Sequence, residues 1–264
     1  MANMNDREQV TEQYKDDQAL AARIRLHAKY STNPQGLTEW LFNQYAFKKG
    51  DRVLELGCGN AAQWEGRLGD LPENVNLTLT DMSPGMIHAA SMKLGPASLH
   101  HRYGVVDIQD IPFDNGSFDI AIANFMLYHV PDLDRALSQV KRVLKPGGIL
   151  YAATNGNGGL HAFMRDVVLS VDPAAAAFEQ SFPFSLQNGG SILACYFYRV
   201  QRVDYIDSLR VTNTEDLMDW LLSTIYISGL SPSGIDAMRS RFDTMMRVNG
   251  FILIPKEAGM FIAS

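Results

Sequence analysis

Apolar and polar positions alternate along this chain in two periods. Short apolar runs suited to buried strands occur at 52–56, 76–81, 100–106, 118–123 and 148–154. Between them lie stretches with helical spacing at 62–69, 83–94 and 133–144, and a shorter one at 126–130. Strand and helix in strict alternation predict right-handed crossovers and a parallel sheet. Upstream, 5–29 reads as a helix with Val10, Tyr14, Ala21 and Ile24 near one face, and 34–46 as a second, opened by Pro34. Beyond Asn155-Gly-Asn-Gly-Gly159, expected to be a flexible junction, the pattern loosens and becomes aromatic-rich to 200. A strand near 202–211, helices near 214–224 and 232–248, and a last strand or hairpin over 251–255 and 260–262 complete the reading.

Sheets of this kind bind ligands at the carboxyl ends of their strands, near the point where strand order reverses. Glu55, Asp81, Asp107 and Asn124 all fall at or just past predicted strand ends. The first strand runs into Gly57-Cys58-Gly59, where glycines allow close approach of a ligand to the backbone. Asp81 follows Gly59 by 22 residues, placed to accept both hydroxyls of a ribose. Gly57, Gly59 and Ala62 also satisfy a dinucleotide pattern. That pattern exists to seat a pyrophosphate on a helix N-terminus, and a carboxylate at Glu55 opposes it. S-adenosylmethionine, with no phosphate and a sulfonium, suits an acid there.

These residues bring a family into view. Glu55-Leu-Gly-Cys-Gly59 resembles the first motif of class I S-adenosylmethionine-dependent methyltransferases of the small-molecule type. Asp81-Met82-Ser83, Asp107-Ile108-Gln109, Ile111 to Asp119 leading into the fourth strand, and Leu144-Lys-Pro-Gly-Gly148 follow in the family's order. The resemblance covers roughly 36–155. One departure is Ala61, where the family often has a third glycine.

The resemblance implies a Rossmann-like α/β fold: a seven-stranded, mostly parallel sheet with helices on both faces and an antiparallel final strand. It implies a helical lid over 1–46, a cofactor-binding core over 47–155, a substrate-covering insertion over 156–200 and completion of the sheet over 201–264. Glu55, Gly57, Cys58, Gly59, Asp81, Met82, Asp107, Ile108 and Asn124 are the expected cofactor-binding residues, with Met82 and Ile108 sandwiching the adenine and Tyr30 reaching the cofactor from the lid. Tyr128 and His129 fall where the methyl meets its acceptor. His129 is a candidate general base because its ordinary pKa lies near neutrality, or else a residue that orients the substrate. The expected activity is in-line methyl transfer to a small molecule, at O or N before S or C. The competing readings are a nicotinamide-dependent oxidoreductase and a non-catalytic S-adenosylmethionine-binding module.

Composition narrows the partners. With 264 residues, a formal charge of -6 and a pI near 5.5, the chain lacks the basic stripe that a nucleic-acid backbone requires. Its two cysteines, Cys58 and Cys195, make neither a disulfide framework nor a metal cluster, and His100-His101 lacks further ligands in metal spacing. No apolar leader and no run of about 18 apolar residues is present. The expectation is a cytoplasmic protein without metal or membrane span. The aromatics between 163 and 198 suit the core of a small cap and equally a pocket for an apolar or aromatic acceptor.

Overall fold

A computed structural model describes residues 25–98, 100–173, 182–223 and 230–264. The chain divides into two compact units. A sheet unit comprises 37–155, 183–205 and 259–264; a helical unit comprises 1–36, 156–182 and 206–258.

The sheet unit is built on β1 (Arg52–Leu56), β2 (Asn76–Asp81), β3 (His101–Val105), β4 (Phe118–Asn124) and β5 (Leu144–Asn155). Val53, Leu54, Leu56, Leu77, Leu79 and Ile120 to Ala123 are almost wholly buried. That burial is why these strands read as continuous apolar runs rather than as alternating ones. β1 pairs in parallel with β2 on one side and β4 on the other, while β3 pairs with β2 and β5 with β4. With β6 (Val200–Val211) and β7 (Ile252–Ala263) the sheet has seven strands in the order β3-β2-β1-β4-β5-β7-β6. Strand order reverses between β1 and β4, so the switch point lies where Glu55 stands opposite Ile122.

Helix α1 (Leu37–Phe42) precedes β1, α2 (Pro84–Leu94) follows β2 and α3 (Leu133–Val143) precedes β5. Ser83 caps α2 by accepting from Met86 N at 3.3 Å, with Pro84 in the first turn. Asp132 caps α3 by accepting from Arg135 N at 2.9 Å, and Ala136, Leu137, Val140 and Val143 form its buried stripe.

Several expected elements differ. Residues 62–69 are not a helix but two single turns of 3-10 type, Ala62–Trp64 and Leu68–Asp70. Gly66, at φ +73°, breaks the run, and Trp64 is drawn fully into the core against Phe42, Tyr45 and Phe47. The 126–130 segment is one 3-10 turn, Leu127–His129. The helix expected over 34–46 is confined to α1. β5 begins at Leu144 instead of 148 because Leu144 pairs with Phe118. The C-terminus is the single strand β7, not a hairpin. Of the helix expected over 5–29, residues 25–29 are described and helical, and helix continues through 30; the remainder lies outside the described residues.

Segment 156–200 is divided between the two units at 182/183. It contains α4 (Gly159–Val171) and α5 (Gly189–Leu193), neither of which the sequence pattern announces. Phe184 and Phe197 are buried in the sheet unit, Phe184 against Phe261 at 5.9 Å, whereas Tyr198 is exposed. Phe178 lies outside the described residues.

The helical unit packs α4, α6 (Thr214–Leu222) and α7 (Pro232–Asn249) with the 25–30 helix and residues of β6 and β7. Its core includes Leu26, Met164, Val168, Met218, Trp220, Phe242 and Ile254. Buried Asp207 on β6 gathers the chain leaving the first helix. Its carboxylate accepts from Thr32 N at 3.0 Å, Asn33 N at 2.9 Å, the Ser31 hydroxyl and Lys256 Nζ, the last at 2.6 Å. The expected flexible junction is instead a fitted surface. A side chain at Gly156 would come within 2.1 Å of Glu257 Cδ, and Gly158 N donates to Glu257 Oε2 at 2.5 Å.

Candidate active site

The carboxyl ends of β1, β2 and β4 carry two hydrogen-bonded groups of the expected residues, Gly59 with Asp81 and Glu55 with Asn124. Gly57 and Gly59 turn the chain at φ +71° and +55°, conformations that suit glycine. At Gly57 a β-carbon would also stand 2.8 Å from Met126 Cγ, so the loop lies against the segment after β4. Gly59 N donates to Asp81 Oδ2 at 3.0 Å and Ser83 N to Asp81 Oδ1 at 2.8 Å. Asp81 thus ties the glycine loop to the end of β2. Each of its oxygens has taken one backbone donor, and a carboxylate offers about four lone-pair positions, so it can still accept the two hydroxyls of a ribose.

Glu55 is 2% exposed. Its Oε2 accepts from Trp64 Nε1 at 2.5 Å and its Oε1 from Asn124 Nδ2 at 3.4 Å. Asn124 Nδ2 also donates to the Tyr45 hydroxyl oxygen at 2.8 Å. Burial pushes the Glu55 carboxyl up to about 7, against the pull of those two donors, and the Asp81 carboxylate adds to the rise. Tyr45 is likewise raised well above its ordinary value, by burial first and by Glu55 second. Asn124 Oδ1 is buried and has no hydrogen-bond partner, a costly state for a polar atom.

The other expected residues lie along the same strand ends. Val106 N, just past β3, donates to Asp81 O at 3.0 Å, which places Asp107 beside β2. Asp107 Oδ1 accepts from Gln109 N at 2.9 Å and braces its own turn. Met82 is 37% exposed, while Ile108 is buried. Cys58 is buried, and its thiol is raised far above its usual range, by burial first and then by Glu55 and Asp81. Burial and the neighbouring acids therefore favour the neutral thiol over a nucleophilic thiolate there. Tyr128 and His129 share the turn after β4, Tyr128 buried and the two rings 4.5 Å apart. Tyr30 is placed in the helical unit, buried in its core and donating to Asp216 through its hydroxyl.

Tyr45, Trp64 and Met126 belong to the site's framework without a signal in the sequence. Each reaches Glu55, Asn124 or Gly57 through folding, and none sits in a motif whose spacing would have marked it. Ala61, the departure from the usual glycine, is held at φ 57°, ψ 28°. That is the left-handed region, which explains why glycine is common at this position.

The fold and site define a nucleoside-cofactor domain of the open α/β type. Residues 54–152 match the family described as "Methyltransferase domain", and this segment is a methyltransferase domain of class I, the S-adenosylmethionine-dependent type. The chain is 34% identical over 108 residues to the ubiquinone biosynthesis O-methyltransferase of Xanthomonas oryzae pv. oryzae, covering 40% of this chain and 43% of that protein. It spans less than half the length of the curated relatives it matches. Two solved structures share the fold. One is phosphoethanolamine N-methyltransferase 2 of Haemonchus contortus in complex with S-adenosyl-L-methionine, with TM-score 0.60, 17% identity, and coverage of 100% of this chain and 60% of that one. The other is the [4+2]-cyclase SpnF, with TM-score 0.58, 17% identity, and coverage of 97% and 96%.

The site's chemistry fits the domain's cofactor. Asp81 retains acceptor capacity for a ribose, Gly59 leaves the backbone open, and Asn124 Oδ1 is a buried acceptor in need of a donor such as an ammonium. A pyrophosphate finds no equivalent support, because the segment after Gly59 is a single 3-10 turn and offers no helix N-terminus. Among the described residues no group of three or more His, Cys, Asp or Glu could hold a metal ion.

Proposed function

We propose that this protein transfers a methyl group from S-adenosylmethionine to a small-molecule acceptor, at oxygen or nitrogen. The observation that carries the reading is the set of acceptors at the switch point. Asp81 with spare lone pairs, buried Glu55 and unpaired Asn124 Oδ1 surround a glycine turn that has no helix dipole for a phosphate. When bound, the cofactor supplies an activated methyl on a sulfonium. The residues then have mainly to bind and orient: Asp81 the ribose, Asn124 the methionine end, and Met82 with Ile108 the adenine faces. Positioning of this kind can contribute roughly 7–11 kcal/mol to lowering a bimolecular barrier. Tyr128 and His129, on the turn after β4, stand on the acceptor side, and His129 takes the proton of an acceptor that must lose one.

An acidic chain without a basic stripe supports a small acceptor over a nucleic acid. Two unpaired cysteines favour a reducing compartment, and we place the protein in the cytoplasm. No described helix is long and apolar enough to cross a membrane. The decisive experiment incubates the protein with methyl-labelled S-adenosylmethionine and panels of phenols, carboxylic acids and amines. Label in an acceptor together with S-adenosylhomocysteine supports the proposal; absence of S-adenosylmethionine binding in calorimetry overturns it.

A further inference from the structure

The site at the switch point is rich in acceptors. The groups that face Glu55 are Trp64 Nε1 from the turn after β1, Asn124 Nδ2 from the end of β4 and Asp81 from β2; Tyr45 and Cys58 in turn feel its charge. Both side-chain donors are neutral, and the charge that acts on Glu55 is of its own sign. Among the described residues no lysine, arginine or histidine hydrogen-bonds to it. A buried carboxylate without a counter-ion is expensive, and such a group holds its proton instead. Beside it, Asn124 presents a second buried acceptor, Oδ1, with no donor. The fold has therefore assembled a polar end lacking positive charge, two residues before the glycine turn.

We propose that Glu55 makes this site select its cofactor by charge: its carboxyl gives up a proton to solvent when the sulfonium cation enters, and regains one when the neutral thioether product takes its place. The inference rests on the methyl-transfer reading above. The proton passes between the Glu55 carboxyl and bulk water, and no bond of the ligand is involved. The sulfonium supplies the positive charge that Trp64 and Asn124 do not. After transfer that charge is gone, so the site holds the product less firmly than the donor and the product leaves more readily.

Because Glu55 titrates at about 7 in the free protein, the linkage falls within an accessible window. Its sign is fixed: the cation-bound form prefers the carboxylate, so affinity for S-adenosylmethionine rises with pH up to about 7 and levels off above it. Below that point the dissociation constant should grow by up to about tenfold per pH unit. The test is calorimetric titration at pH 7 in two buffers of different ionisation enthalpy, with S-adenosylmethionine and S-adenosylhomocysteine as separate probes. The expected result is release of about half a proton per site with the sulfonium and clearly less with the thioether.

Glu55→Gln, which keeps an acceptor for Trp64, should bind S-adenosylmethionine without proton release and with a flat pH profile. Equal release with both probes overturns the proposal, and so does release that persists in Glu55→Gln. If that variant does not fold, the comparison of the two probes on the unaltered protein decides alone. S-adenosylmethionine binding with no proton release overturns only this inference; no binding at all overturns the methyl-transfer reading with it.

Discussion

Gly57 is the residue at which one added methyl group should do the most harm. Its φ is +71°, and a β-carbon there meets Met126 side-chain atoms at 2.8 and 2.9 Å. Gly59 has comparable torsion but open space around it. Gly57→Ala should therefore cost about 1–3 kcal/mol in stability or cofactor affinity, since backbone strain and a clash combine, and Gly59→Ala less. Thermal melts and calorimetry on the pair check this ordering, and equal effects would refute it. Asp81→Ala removes the acceptor of two backbone N–H groups as well as the proposed ribose contact. Affinity for S-adenosylmethionine should fall by about 1–3 kcal/mol; unchanged affinity would take Asp81 out of the site. For His129, the pH profile of turnover in His129→Ala is the check. If His129 accepts the proton, turnover falls and the acidic limb of the profile disappears; an unaltered profile and rate would exclude base chemistry. At this scale the sequence marked the acids and the glycine turn that the structure places at the strand ends. It could not show that Glu55 is buried with Trp64 and Asn124, because those partners are set by folding and lie 9 and 69 residues away.

At the scale of elements, the parallel strands and α2 and α3 were legible because each carries its own signal: apolar runs, capping residues and a helical stripe. Residues 62–69 misled because helical spacing there reflects Trp64 packing, while Gly66 interrupts the backbone. α4 was hidden behind a glycine run whose purpose, making room for Glu257, belongs to tertiary structure. The join between the 25–30 helix and β6 yields a prediction of its own. Burial by itself would raise the Asp207 carboxyl, yet the hydrogen bonds from Lys256, Ser31 and Asn33 outweigh it and hold the group down at about 2. A depressed carboxyl stabilises the fold above its unfolded value near 4, and that contribution is lost as pH falls from about 4 toward 2. His27, in the same unit, is lowered to about 4 by burial first and by the Lys256 charge second. It must stay neutral to remain buried, so stability should already begin to decline as pH drops below about 6.5. Asp207→Ala removes a buried ion-pair partner of Lys256 and the acceptor of the Thr32 and Asn33 N–H groups, and should cost about 3–5 kcal/mol. Denaturant titrations between pH 7 and 3 read both effects. A stability flat in pH, or a loss below 1 kcal/mol, would mean that this clip does not hold the helix to the strand.

For the whole molecule, the fold alone does not specify the reaction. The likeness to a methyltransferase and to a [4+2]-cyclase at similar TM-scores makes that plain. Ligand linkage discriminates between them only in part, but it settles the cofactor. At about 100 times its dissociation constant, a ligand specific for the native state adds roughly 2.7 kcal/mol. S-adenosylmethionine and S-adenosylhomocysteine should each raise the melting midpoint by several degrees, and NAD should leave it unchanged. A shift with NAD alone would replace the methyl-transfer reading with a redox one.

The sequence by itself determined the order of strands and helices, the glycine turn and the acids at strand ends. These are local features, written in the period of apolar residues and in the few side chains that a tight turn or a ribose accepts. Only the tertiary structure decided that 62–69 offers no helix N-terminus to a phosphate. It also decided that Glu55 is sealed behind Trp64, that Asn124 keeps an unpaired oxygen, and that 156–200 divides between two compact units. Burial and hydrogen-bond pairing depend on residues far apart in the chain, so no local pattern records them.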